Sequence, residues 1–375
     1  RPVVVGFGPA GMFAALIFAL AGQRPLVLER GEDAAARHER VERFWSGGGF
    51  DPRSNVQFGE GGAGTFSDGK LNTGVNNPRI HWILEQFVAA GAGEDILYDA
   101  KPHVGTDVLL TVVQNLRRRI IALGGEVRFR TQVADIEQED GRLTALLTEN
   151  GERIECGSVI LAIGHSARDT FQMLERRRIP MEPKPFSMGV RIEHKQSAVN
   201  AAQYGADSPV LPPADYKLVR HLEKGTVYTF CMCPGGYVVA AASEPGGVVT
   251  NGMSYASRAG ENANAALLVT LNPEVFPYPG PLGGMRWQRE IEQRAYDLSG
   301  SYLAPAQRVG DFLAHRPSGG AGEVQPTYRP GVVWCDLHEV LPQRITDALE
   351  EAIPALDRNL AGFSAPDAVL TAPET

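Results

Sequence analysis

The chain opens on an unbroken apolar run at residues 3–5 that gives way to Gly6-Phe7-Gly8-Pro9-Ala10-Gly11. Small residues follow at Ala15, Ala19 and Gly22, and a second apolar run at 26–28 ends on the acid Glu29. That order predicts a buried strand, a tight turn, a helix with a small-residue face and a second strand. Residues 33–45 and 78–90 read as helices. Residues 107–123 carry a broad apolar stripe (Val108, Leu109, Val112, Val113, Leu116, Ile120, Leu123) that Gly124-Gly125 ends. Short segments at 126–130 running into 132–136, then 142–148 and 152–156, are separated by Asp140-Gly141 and Asn150-Gly151 and predict a three-stranded meander. An apolar strand at 158–163 then ends on Gly164.

Beyond residue 165 the pattern changes. Prolines and turns become denser, strands are predicted at 188–193, 226–232, 237–242 and 332–336, and helices at 286–299 and 342–360. The chain therefore divides into a nucleotide-binding domain at 1–165 and a second, mainly antiparallel domain at 166–363. The fold class is α/β: a Rossmann-type parallel sheet with a meander, plus an inserted mixed β domain for substrate.

At 375 residues and 43% hydrophobic the chain can bury one large core or two cooperating ones. No apolar run approaches a membrane span. The net charge of −8 argues against a nucleic-acid partner. Cys156, Cys231, Cys233 and Cys335 form neither a disulfide framework nor a paired CxxC metal site, which fits a reducing, cytoplasmic setting.

The chemistry lies first in the opening motif. Gly6 permits the turn out of the strand, Gly8 lets backbone approach a pyrophosphate, and Gly11 lets helix and strand pack closely; the helix N-terminus at Pro9-Ala10 presents N–H groups to the anion. Glu29 is placed to accept from both ribose hydroxyls, and Arg30 beside it leaves a 2′-phosphate conceivable. Residues 58–71, FGEGGAGTFSDGKL, match the spacing of a P-loop from Gly64 to Lys70 but put Leu71 where a hydroxyl should hold Mg²⁺, so triphosphate hydrolysis is rejected. The loop reads instead as a backbone cradle for the same dinucleotide, with Thr65, Ser67 and Lys70 as polar additions. Cys231 and Cys233 would share one face of a strand and are weak candidates for redox chemistry, as is His165 for acid–base work after the Gly164 turn. His194 and the pairs Arg168-Asp169 and Arg191-Glu193 read first as structural hydrogen-bonding and ion-pairing groups.

Together with residues 186–191, 231–236 and 251–254, these motifs resemble the bacterial FAD-dependent dehydrogenases, flavoproteins with a glutathione-reductase-type FAD-binding fold. The resemblance spans essentially the whole chain and implies FAD as cofactor. By resemblance Gly6, Gly8, Gly11 and Glu29 hold the ADP half, Gly61, Gly62, Thr65 and Lys70 lie along the pyrophosphate and ribityl chain, Val133 contacts the adenine, and Gly164 closes over the pyrophosphate. It also implies that residues 364–375 begin a return to the FAD domain whose final, flavin-covering segment is missing. The expected function is an FAD-dependent oxidoreductase acting on a small substrate, with NAD(P)H as a candidate donor. No second GxGxxG occurs, so no dedicated NAD(P)H domain is expected and the reductant either binds in the substrate pocket or arrives from another protein. The competing readings are an NAD(P)-dependent dehydrogenase and a non-catalytic flavin-binding redox sensor or RNA-associated flavoprotein.

Overall fold

The computed structural model describes residues 1–71, 73–205 and 211–375, and these separate into two compact units. Unit 1 comprises residues 1–44 and 48–181. Its elements are β1 (Val3–Val5), α1 (Pro9–Leu20), β2 (Leu26–Leu28), α2 (Ala34–Trp45), α3 (Arg79–Ala89), α4 (Thr106–Ala122), β3 (Glu126–Arg128), β4 (Val133–Glu139), β5 (Arg142–Thr148), β6 (Arg153–Glu155), β7 (Val159–Leu161) and α5 (Arg168–Arg176).

The parallel sheet runs β3-β2-β1-β7. Val3, Val4 and Val5 pair with Leu26, Val27 and Leu28 on one side and with Val159, Ile160 and Leu161 on the other. β1 is flanked on both sides, with Val4 packed against α1 and α4 and Val3 and Val5 against the meander and α5, so every side chain is buried and the opening run is apolar without alternation. The small-residue face of α1 (Gly11, Ala15, Ala19) is buried, and the stripe of α4 packs with it through Leu109, Val112, Leu116 and Ile120. The meander is β4-β5-β6.

Residues 126–130 depart from expectation. Glu126–Arg128 pairs with β2 in parallel and so completes the nucleotide-binding sheet rather than opening the meander. The Gly124-Gly125 turn after α4 closes a β-α-β crossover, and Arg130, at φ +52°, breaks the chain before β4.

Unit 2 comprises residues 45–47 and 182–375. Its elements are β8 (Phe186–Lys195), α6 (Gln196–Tyr204), β9 (Val219–Leu222), β10 (Gly225–Cys233), β11 (Tyr237–Ala240), β12 (Thr250–Met253), β13 (Asn262–Leu271), α7 (Gly283–Asp297), β14 (Ala304–Arg308), α8 (Val309–Leu313), β15 (Val332–Trp334), α9 (Gln343–Asp357) and β16 (Val369–Glu374). The main sheet runs β15-β14-β16-β8-β13-β10-β9, antiparallel except where β14 meets β15. Its core holds Val190, Ile192, Ala265 and Leu267 from the sheet and Ile345, Leu349, Ile353 and Leu356 from α9.

Two domain limits differ from expectation. The first boundary falls between Met181 and Glu182, not at 165, because Met173 and Leu174 of α5 are buried in the core with Val133 and Ile136 of the meander. The 364–375 segment does not turn back to the first sheet: β16 lies between β14 and β8, with Leu370 opposite Ile192.

The expected Arg191–Glu193 ion pair is replaced by two separate sets of partners. Arg191, fully buried, donates to Glu374 at 2.6 Å, to the Cys231 carbonyl at 2.9 Å and to Asn264 at 3.1 Å. Burial works against its charge, but Glu374 together with Cys231 and Cys233 outweighs it and holds the guanidinium ionised. Glu193 accepts from the Thr327 hydroxyl at 2.6 Å and from Asn262 at 3.2 Å, and burial pushes its carboxyl above the usual range. His194 is buried, with Nε2 2.9 Å from the Phe363 carbonyl, and burial lowers its pKa. Among the described residues no helix is long and apolar enough to cross a membrane.

One electrostatic cluster in unit 1 makes its stability depend on pH. Hydrogen bonds from Arg40 (2.5 and 2.6 Å), joined by the Arg130 guanidinium at 2.6 Å, hold Glu32 down from 4.5 to about 2. A carboxyl lowered in the folded state stabilises fully above its unfolded pKa and loses that contribution as pH falls through the folded one. Thermal unfolding followed from pH 5 downward should therefore show a loss concentrated between about 4.5 and about 2, and Glu32→Gln should flatten it. An unchanged slope in the variant would contradict this.

Candidate cofactor site

β1 delivers the chain into Gly6, whose φ of +96° and whose hypothetical Cβ, 2.3 Å from the Ala162 carbonyl oxygen, admit no side chain. Gly11 packs so tightly on the turn that a Cβ would lie 2.0 Å from the Gly6 oxygen. Helix α1 starts at Pro9 with Gly8 as its N-cap and no side-chain acceptor on its first turn. The N-terminal amides and their partial positive charge are thus left for an anion.

The loop that follows Phe58 closes over this turn. Gly61 N–H donates to the Phe7 carbonyl at 2.9 Å, and Gly62, at φ +60°, lies so close that its Cβ would be 3.0 Å from Gly8 Cα. Two bare backbones therefore face each other where a pyrophosphate would pass. The cleft they edge holds about 510 Å³, within the roughly 300–1,000 Å³ of small-molecule sites. Gly6, Gly8, Pro9, Ala10, Glu29, Arg30, Gly62, Val133, Gly164 and His165 all line it. These features fit the ADP portion of a dinucleotide.

Glu29 is 4% exposed and accepts from the N–H groups of Phe7 (2.7 Å), Gly31 (2.8 Å) and Gly59 (3.0 Å). A carboxylate offers about four acceptor positions, so about one remains for a ribose hydroxyl rather than the two expected. Its larger role is to tie turn, strand end and loop together. Arg30 is committed as well: it donates to Asp169 at 3.0 Å and to Thr170 at 3.1 Å, and stacks 4.3 Å above the Phe58 ring. Asp169, expected to pair with Arg168, thus offsets the charge that a 2′-phosphate would have used, and Gln132 donates to its other oxygen at 2.7 Å.

The glycine-rich loop splits in two. Gly62, Ala63 and Gly64 face the cleft; Gly61, Thr65 and Lys70 do not line it. Thr65 is 2% exposed, with its hydroxyl filling the space a Gly61 Cβ would need, 2.1 Å away. Lys70 lies 3.4 Å from Asp68 and bridges by its backbone to His103. His165 is exposed at the cleft, its Nε2 3.2 Å from the Ser166 hydroxyl.

Cys231 and Cys233 belong to unit 2. The ladder shifts register between Phe230 and Cys233, with Cys231 at φ +43°, so the simple alternation expected to put both sulfurs on one face does not hold. Cys233 is buried and its thiol donates to the Cys231 carbonyl; none of the four cysteines is in a disulfide. Burial pushes the Cys335 thiol up to about 12 and raises that of Cys156.

Arg37 escaped the sequence reading. It is fully buried, and its guanidinium donates to the carbonyls of Asn55 (2.8 Å), Val56 (2.7 Å), Glu60 (2.7 Å) and Gly62 (2.9 Å) while stacking 4.8 Å above Phe66. Burial lowers its pKa to about 10, with Glu29 and Glu60 opposing, so it stays charged at neutral pH. The only local hint was an arginine in a polar stretch that reads as a helix.

Gly62→Val combines a strained φ with a clash against Gly8, effects of about 1–3 kcal/mol. It should weaken FAD binding roughly 10–100-fold in a flavin-fluorescence titration. An unaltered Kd would remove Gly62 from the cradle.

Comparison with known proteins places the chain among flavoproteins. Residues 185–375 match the family described as FAD-dependent protein, C-terminal domain-like, and residues 110–251 match FAD dependent oxidoreductase. A protein of Clostridium beijerinckii, described as uncharacterized, is 50% identical over 380 residues, covering 100% of this chain and 71% of its own length. Solved structures are far more distant. The halogenase PltM in complex with phloroglucinol and FAD is 11% identical with a TM-score of 0.36, over 76% of this chain and 55% of that one. The THI4 of Thermovibrio ammonificans is 16% identical with a TM-score of 0.31, over 49% of this chain and 66% of that one. The chain thus spans about half to two thirds of the length of these solved structures, and likeness at this level assigns no activity. The family match and the half-identical relative do establish kinship: the chain belongs to the FAD-dependent protein family, flavoproteins of the FAD-dependent oxidoreductase class, and FAD is its cofactor.

Proposed function

We propose that the protein is a dehydrogenase that moves a hydride or electron pair between FAD and a small substrate. The observation that carries this reading is the apposition of Gly8 and Gly62 beside the uncapped N-terminus of α1. FAD supplies the redox chemistry when bound. The residues of this chain bind and orient it. The amides of α1 and the loop at 62–64 receive the diphosphate, Glu29 takes a ribose hydroxyl, and Thr131, Gln132 and Val133 wall the adenine side of the cleft. Neutralisation of Arg30 by Asp169 speaks against an NADP-binding cleft. The net charge of −8 speaks against an RNA-associated role. A cytoplasmic setting is supported by four cysteines outside any disulfide.

NADH or NADPH is proposed as the electron donor. The test is the visible spectrum of the chain loaded with FAD, followed by anaerobic addition of each nucleotide in turn. Flavin bands that bleach with one of them are the expected result. Bands that persist with both would overturn the donor assignment and favour a flavin-binding sensor, and a chain that takes up no FAD would overturn the whole reading.

A further inference from the structure

Unit 2 gathers two imidazoles and a carboxylate, none of them among the residues that line the cofactor cleft. His315 follows α8, His338 sits on the short helical turn Leu337–Glu339, and Glu350 projects from α9. His315 Nε2 lies 3.4 Å, and His338 Nε2 2.6 Å, from the same Glu350 oxygen, Oε1. One ligand atom from each residue lies within 4.8 Å of the others, and among the described residues this is the one such cluster of histidine, cysteine and acidic groups.

We propose that His315, His338 and Glu350 form a site for a divalent transition-metal ion, zinc by preference, with a water as fourth ligand. The ligand chemistry selects the class: two imidazoles with one carboxylate suit zinc, whereas magnesium and calcium take oxygen sets. Bonds of about 2.0–2.1 Å in a tetrahedron separate ligand atoms by roughly 3.3 Å, which the His315–Glu350 distance of 3.4 Å already meets. The His338–Glu350 hydrogen bond, at 2.6 Å, opens by about 0.7 Å as zinc replaces the bridging proton. His338 is oriented for this. Its Nδ1 is 2.5 Å from Asp336 Oδ1, and its ring stacks on Phe312 at 4.6 Å, which aims Nε2 at Glu350. A carboxylate on the far nitrogen is the usual support of a metal-bound histidine.

One rearrangement is required. The His315 and His338 rings are stacked at 4.6 Å with 23° between their planes, so their lone pairs do not yet converge. His315 is 62% exposed and can turn out of the stack into solvent. The bound ion would clasp the exit of α8 and the 337–339 turn to α9, a structural role separate from flavin chemistry.

The test uses the full chain, free of affinity tag and stripped with EDTA, titrated with zinc chloride by calorimetry. One zinc per chain is expected, with affinity lowered at least about tenfold in His315→Asn and in Glu350→Gln. The thermal midpoint of the parent chain should rise on adding zinc, and that of the two variants should not. His315→Asn alters an exposed side chain, so its result stands even if Glu350→Gln perturbs folding. Absence of one-to-one binding, or binding that His315→Asn leaves intact, would overturn the site.

Discussion

Arg37 is the constraint on which unit 1 turns. Backbone carbonyls that point inward need donors, and a loop rich in glycine has few side chains to supply them. Here one guanidinium serves four carbonyls between Asn55 and Gly62. A buried cation is costly to desolvate, and Glu29 and Glu60 offset that cost electrostatically. The glycines fit the same demand: a Cβ on Gly59 would sit 2.5 Å from Arg37 Cδ, so loop and arginine are shaped to each other.

Once the loop is held, the cofactor site follows. Gly62 comes against Gly8, Gly61 donates to Phe7, and Glu29 collects N–H groups from the turn, the strand end and the loop. The result is a cleft whose polar groups are mostly backbone and already oriented. Preorganised amides suit a diphosphate because little reorganisation is left for binding. Unit 2 is built differently, around a long antiparallel ladder whose buried charges, Arg191 and Glu193, are each satisfied by partners from separate strands and loops.

What was legible in the sequence was what local spacing encodes. The turn of Gly6, Gly8 and Gly11, the acid Glu29, the stripe of α4 and the parallel-plus-antiparallel architecture all follow from short-range pattern. Long-range partners were not legible. Arg37 lies among charged neighbours on a helix, and nothing nearby in sequence announces carbonyls some twenty residues on. Lys70 satisfied a phosphate-loop spacing and Thr65 lay within it, yet neither lines the cleft. Glu126–Arg128 alternated like a meander strand but was claimed by β2, and β16 joined the second sheet because its apolar face matched β8 and β14. The bulge at Cys231 broke an alternation that periodicity alone takes for granted.

The most direct test of this account is the FAD affinity of Arg37→Met, a change that keeps much of the side-chain bulk and removes every donor. Far-ultraviolet circular dichroism would confirm that the helices persist. With the loop released, binding should fall by about 100-fold or more, corresponding to about 2.7 kcal/mol or more. A folded variant that binds FAD within about twofold of the parent chain would show that the cradle stands without Arg37, and would contradict the account.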